Sequence, residues 1–122
     1  MHEEEIKLLQ KRALNFLDSA KERFQKEDWD LVCFMAEQAV QLFLKSLILK
    51  EIGEIPKTHS IRKLLGIINQ MKEQNIKFER KELLFLENAY LNSRYFNFLY
   101  NKEDAELAIR IAEEILNLFK IY

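Results

Sequence analysis

Trp29-Asp30-Leu31-Val32-Cys33-Phe34-Met35-Ala36-Glu37-Gln38-Ala39-Val40-Gln41-Leu42-Phe43-Leu44-Lys45-Ser46-Leu47-Ile48-Leu49-Lys50-Glu51-Ile52 is the stretch that decides the fold. Trp29, Val32, Ala36, Ala39, Phe43 and Leu47 recur at steps of three and four. Leu31, Met35, Leu42 and Leu49 form a second stripe at helical spacing. A helix apolar on more than one side must be buried on more than one side, so this element belongs at the centre of a bundle. Gln38 and Lys45 interrupt the second stripe, and Glu37 lies between the two. The Lys45 stem can lie along apolar surface and keep its ammonium in water.

The flanks follow the same period. Before the central helix, Ile6, Leu9, Ala13, Leu17, Ala20 and Phe24 share one face of a helix expected from about Glu3 to Lys26. Glu3, Glu4 and Glu5 stand at its positive dipole end, and Asp28 is placed to cap the central helix. After it, Gly53 fits a C-terminal cap and Pro56 stops further winding. Thr58 or Ser60 then caps a third helix, about Ser60 to Glu73, with Ile61, Leu64, Leu65, Ile68 and Met71 on its apolar face. A fourth runs from about Arg80 to Ser93, and an aromatic knot follows, Arg94-Tyr95-Phe96-Asn97-Phe98-Leu99-Tyr100. Asn101 caps a fifth helix, whose Ala105, Ala108, Ala112, Ile115, Phe119 and Tyr122 hold the spacing.

Composition agrees with this order. The chain has 122 residues, 48% hydrophobic and 32% charged, which fits a single folded domain over residues 1–122. Only 2 Gly and 1 Pro occur, too few for the many turns of a sandwich or barrel. The fold class is therefore all-α, an antiparallel up-and-down bundle of about five helices. No run of 18 or more uncharged apolar residues is present, so no membrane span is expected. The acidic start and the single Cys33, which allows neither an internal disulfide nor a cysteine-based zinc site, suggest a cytoplasmic setting. Net charge is −1, although Lys45 to Glu82 carries 9 basic and 5 acidic residues, a local excess of +4. Such an excess is usually a solvated helical surface.

Catalytic signatures are scarce. There is no glycine-rich phosphate loop, nucleophile elbow or His pair at i,i+4, and neither a metal nor a cofactor is expected. Glu113 and Glu114 are adjacent and diverge on a helix. Cys33 reads as a small buried apolar residue, since no base can be assigned to it from sequence. His59, in Pro56-Lys57-Thr58-His59-Ser60, can bind an anion beside exposed backbone amides or hold the turn. Arg94, placed after a helix, can grip a phosphate with both arms of its guanidinium, while Tyr95 or Tyr100 stacks on a base. The opposing reading makes Arg94 a helix-end cap and the aromatics packing.

Four segments together carry a resemblance. They are Ala36 to Lys45, in which Gln-Ala precedes an apolar-Lys pair; Thr58-His59-Ser60-Ile61 with Leu64-Leu65; Ala89-Tyr90-Leu91-Asn92-Ser93-Arg94-Tyr95; and Ala105 to Ala112. In this order and spacing the chain resembles the HEPN family, small helical domains named for nucleotide binding. The resemblance implies an up-and-down bundle, usually a two-fold dimer. Many members act with a minimal nucleotidyltransferase in toxin–antitoxin-like pairs, and others are metal-independent ribonucleases. The ribonucleases carry an Arg, a polar residue next to it, and a His four to six positions after the Arg. Arg94 matches the Arg, but Tyr95 replaces the polar residue, and Phe98, Leu99 and Tyr100 stand where the His belongs. Phe96 also replaces the proline of an Arg-Tyr-Pro pattern.

That departure bears on chemistry. Cleavage by 2′-hydroxyl attack needs a proton carrier, and losing one costs about two to four orders of magnitude. A tyrosine with an ordinary pKa near 10 is a poor base at neutral pH. The expected function is a non-catalytic binding subunit that dimerises and engages nucleotide, RNA phosphate or a nucleotidyltransferase, through Lys45, His59, Arg94 and Tyr95. A degenerate ribonuclease and a purely structural dimeric scaffold are the alternatives.

Overall fold

The computed structural model describes residues 2–95 and 99–119; the side chains of Arg94 and Tyr95 lie outside the described set. Five helices follow in order: α1 (Glu3–Gln25), α2 (Trp29–Ile52), α3 (Ile61–Met71), α4 (Arg80–Tyr95) and α5 (Lys102–Leu118). The described residues form no strand. The antiparallel bundle expected from the periodicity is the fold observed.

α2 contacts each of the other four helices, as its two-sided apolar pattern requires. α1 meets α5, α5 meets α4 and α4 meets α3, which wraps four helices around α2. α1 and α3 do not meet, so the wrapping is incomplete. Along α2, Leu31, Phe34, Met35, Gln38, Leu42 and Lys45 are only half-buried, at the three- and four-residue steps of one face. By length and composition α2 is apolar enough to cross a membrane, even though Glu37 and Lys45 interrupt its apolar run. Here Val32, Ala36, Ala39, Val40, Phe43, Leu44, Leu47 and Ile48 fill the centre of the bundle instead.

Local chemistry sets the ends. Gly53 closes α2 in the left-handed region, φ 78°, where a side chain is strained. Ser60 caps α3, its hydroxyl accepting from the Lys63 amide at 3.2 Å, while Thr58 Oγ1 accepts from the Ser60 amide at 3.1 Å. Asn101 and Asp104 form a reciprocal capping box on α5. Asp28 occupies the N-cap position of α2 but makes no side-chain cap bond. α3 stops at Met71, short of the expected Glu73, because Glu73 turns to φ 50°. Asn69 then closes the connection to α4, donating to the Ile76 carbonyl at 2.8 Å and accepting from its amide at 3.2 Å.

One boundary changes the reading of the site. α4 runs to Tyr95, so Arg94 and Tyr95 belong to its last turn and do not follow the helix. Phe96, Asn97, Phe98 and Tyr122 lie outside the described residues.

Candidate functional site

The site begins with polar residues that α2 carries into the bundle. Glu37 is fully buried and Gln41 is 2% exposed. With Lys45 they stand four residues apart on one face of the helix. Gln38 Nε2 donates to Glu37 Oε1 at 2.8 Å. Gln41 Nε2 donates to the backbone carbonyl of His59, tying the turn before α3 to the middle of α2. Glu37 Oε2 and Gln41 Oε1, by contrast, are buried without a hydrogen-bond partner. Buried polar atoms are nearly always paired, so two orphans one helical turn apart are unusual.

Burial governs the charges. It pushes the Glu37 carboxyl up to about 7, against the opposing pull of Gln38, Gln41 and Lys45, while Glu87 adds to the rise. It lowers the Lys45 ammonium, and Glu37 partly restores it. A carboxyl and an amine are thus brought toward neutrality on one helix face.

α4 supplies the opposite wall. Tyr90 stacks on His59, ring centroids 4.5 Å apart and planes at 16°. On the same tyrosine Phe34 of α2 stacks at 6.3 Å and 24°. One turn earlier Glu87 is nearly buried, its side chain 10% exposed. Its Oε1 accepts from Ser60 Oγ at 3.0 Å, from the Arg62 amide at 2.8 Å and from Arg62 Nε at 3.1 Å. This carboxylate sits at the positive end of α3 and fastens that end to α4. Asp30 secures the far end of α4, accepting from the Tyr100 amide at 2.7 Å through its carboxylate and from Ser93 Oγ at 3.2 Å through its carbonyl.

Of the four residues read from the sequence, His59 is bonded through its carbonyl to Gln41, and Lys45 stands one turn after Gln41 on the same row of α2. His59 is exposed and Lys45 half-buried. Arg94 enters through its backbone, one turn after Tyr90 on α4; its side chain and that of Tyr95 lie outside the described residues. Gln41, Glu87 and Tyr90 were not singled out. A weak signal existed, since Glu37, Gln41 and Lys45 share one i,i+4 row through an apolar helix, and Glu87, Tyr90 and Arg94 share another row on α4.

Other candidates resolve simply. Cys33 is buried, and burial first, with Asp104 and Asp30 next, pushes its thiol up to about 12, far from a reactive thiolate. Tyr100 is buried, and its hydroxyl accepts from Asn92 Nδ2 at 3.0 Å. Burial is the main cause that raises it above its ordinary value, which makes it a still weaker base. Glu113 pairs with Lys21 and Glu114 with Arg110, in different directions. Among the described residues no three His, Cys, Asp or Glu side chains gather as a metal ligand set.

Residues 6–122 match the family model of the HEPN domain. The chain belongs to the HEPN family. Two solved structures share its fold. TT1696 from Thermus thermophilus is 24% identical, with 92% of this chain and 93% of that one covered at a TM-score of 0.77. ST0689, an archaeal HEPN homologue, is also 24% identical, with 93% of each chain covered at a TM-score of 0.68. No curated protein matches the chain in sequence. Within the HEPN fold, then, the polar cluster lies between the centre of α2, the turn before α3 and the second half of α4.

Proposed function

We propose that this HEPN chain is a cytoplasmic, non-catalytic binding subunit that grips the phosphate of a nucleotide or RNA. The observation that carries the reading is the stacked His59–Tyr90 pair, on the α4 row that continues to Arg94, with the His59 turn tied to Gln41 one helical turn before Lys45 on α2. Lys45 and Arg94 supply positive charge for the phosphate, and His59 adds a hydrogen-bonding ring. Tyr95 orients or stacks on the ligand. No histidine follows Arg94, so a proton carrier at the ribonuclease position is missing from the sequence.

The half-buried face of α2 supports a homodimer. Leu31, Phe34, Met35 and Leu42 stay partly open there, and a groove of about 470 Å³ beside them is lined by Phe16, Gln38 and Leu42. A face of this kind suits an isologous contact. A minimal nucleotidyltransferase is the protein partner that family membership suggests.

Titrating a labelled short RNA and a labelled adenosine nucleotide into wild type, Lys45→Ala and Arg94→Ala tests the reading. Weaker binding by both variants supports it. Equal binding by all three proteins would remove the site.

A further inference from the structure

Between the start of α2 and the end of α4 a groove of about 360 Å³ is lined by Asp28, Asp30, Leu31, Phe34 and Ser93. Its aromatic wall is already part of a stack. Phe34 lies on Tyr90 with planes at 24°, and Tyr90 on His59 at 16°, so the three rings run nearly parallel. The other aromatic pairs among the described residues, Phe24–Trp29 and Phe85–Tyr100, meet edge-on at 64° and 90°. Phe34 is half-buried, with one face on Tyr90 and the rest of the ring lining the groove. A flat apolar ring at the end of a parallel stack is a platform for one more ring.

The polar side chains of the groove offer acceptors only. Ser93 Oγ spends its one proton on the Asp30 carbonyl at 3.2 Å. The Asp30 carboxylate takes the Tyr100 amide on Oδ1 at 2.7 Å, and Asp28, at the N-cap position of α2, leaves its carboxylate without a cap bond. A flat ligand that enters must therefore bring donors. Among the RNA bases guanine alone sets two donors side by side, N1–H and the N2 amino group, which match the two oxygens of one carboxylate. Adenine and cytosine place a ring acceptor beside their amino group, and uracil flanks its N3–H with two carbonyls, so each would turn an acceptor toward the carboxylate. We propose that this groove is a guanine-binding subsite: the base stacks on Phe34, and its N1–H and N2 amino group donate to the Asp28 carboxylate. This deepens the phosphate-binding reading and rests on it only for the place of the phosphate.

Charge orients the ligand. The two carboxylates repel a phosphate and direct it out of the groove. Arg94 follows Ser93 directly on α4, so its backbone adjoins the groove. Lys45 stands about 16 Å along α2 from Phe34. The phosphate of a single nucleotide therefore falls to Arg94, and Lys45 takes a phosphate farther along an RNA. All the lining residues come from one chain. Leu31 and Phe34 stand at the N-terminal end of the open α2 face, which leaves Met35 and Leu42 to a homodimer contact.

Calorimetric titration of guanosine, inosine and adenosine monophosphates into the full chain, with EDTA present, reads the base alone, because all three carry the same phosphate. The guanosine nucleotide should bind at least about tenfold more tightly than the adenosine one. The inosine nucleotide lacks the N2 amino group and should fall between them. This series in wild type decides the preference without any variant. Asp28→Asn, which keeps a residue suited to the N-cap, should erase the order. Phe34→Leu should weaken all three nucleotides by about tenfold, and circular dichroism checks that both variants fold. Equal affinity of wild type for the guanosine and adenosine nucleotides would overturn the subsite. So would an unchanged order in folded Asp28→Asn, or full affinity in folded Phe34→Leu. Arg94→Ala separates this subsite from the phosphate grip. Equal binding of the guanosine and adenosine nucleotides that Arg94→Ala weakens rejects the subsite and leaves the grip. A guanosine preference with affinity unchanged in Arg94→Ala rejects the grip and leaves the subsite. No binding of any of the three by wild type rejects both.

Discussion

The His59 imidazole lies on the Tyr90 ring with centroids 4.5 Å apart, joining the turn before α3 to the middle of α4. Stacked aromatic pairs contribute about 0.5–1.5 kcal/mol beyond the area they bury. Tyr90→Leu should therefore destabilise the fold by about 1–2 kcal/mol in urea denaturation and weaken RNA binding, whereas Tyr90→Phe should keep the stack. A Tyr90→Leu protein that binds RNA like wild type would separate the stack from the site.

Glu37 makes stability depend on pH. Its folded value of about 7 stands above the ordinary 4.5, so between these the folded chain holds a proton that the unfolded chain has lost. Stability is then fullest below 4.5, falls as pH climbs to about 7 and levels off above it. The loss is about 3 kcal/mol at most, from about 1.4 kcal/mol per pKa unit. Glu37→Gln should abolish this component and exceed wild type in stability at about pH 8.5. Chemical denaturation of both proteins at about pH 4.5, 6 and 8.5 measures it.

Glu87 receives three hydrogen bonds from the start of α3 on one oxygen. Glu87→Ala strips the Ser60 hydroxyl, the Arg62 amide and the Arg62 guanidinium of their acceptor and should cost about 1.5–3 kcal/mol, the range for hydrogen bonds to a charged group, since the Arg62 side chain is left exposed to water. Amide exchange should rise first at residues 60–63, before the core of α2.

Gly66, in the exposed face of α3, has nothing within 4 Å of the place a Cβ would take. Gly66→Ala should raise stability by about 0.5–1 kcal/mol, because alanine orders into a helix at lower entropic cost. A thermal melt that moves down would contradict the open environment. On the half-buried face of α2, Met35→Glu should turn a dimer into a monomer by light scattering, with the helical content kept.

Helix order, the caps at Gly53, Ser60 and Asn101, and the centrality of α2 were legible because each is written in neighbouring residues. Periodicity reports burial directly, and a cap needs only three or four positions. The site was legible only in part. Lys45 and His59 were visible as residue types, but the bond between Gln41 and His59 joins positions 18 apart, and Glu87 reaches Arg62 across 25. Such contacts depend on which faces of α2, α3 and α4 meet, which no local pattern states. Asp28 illustrates the converse: the right residue stands at the cap position, yet its side chain makes no cap bond.

The most direct measurement is incubation of a labelled RNA with wild type and Arg94→Ala in EDTA, following binding by anisotropy and integrity on a gel from the same tubes. Intact RNA in both, bound at least about tenfold more tightly by wild type, is the expected result for a gripping site that lacks a proton carrier. RNA cut by wild type but not by Arg94→Ala, or bound equally by both, would contradict it.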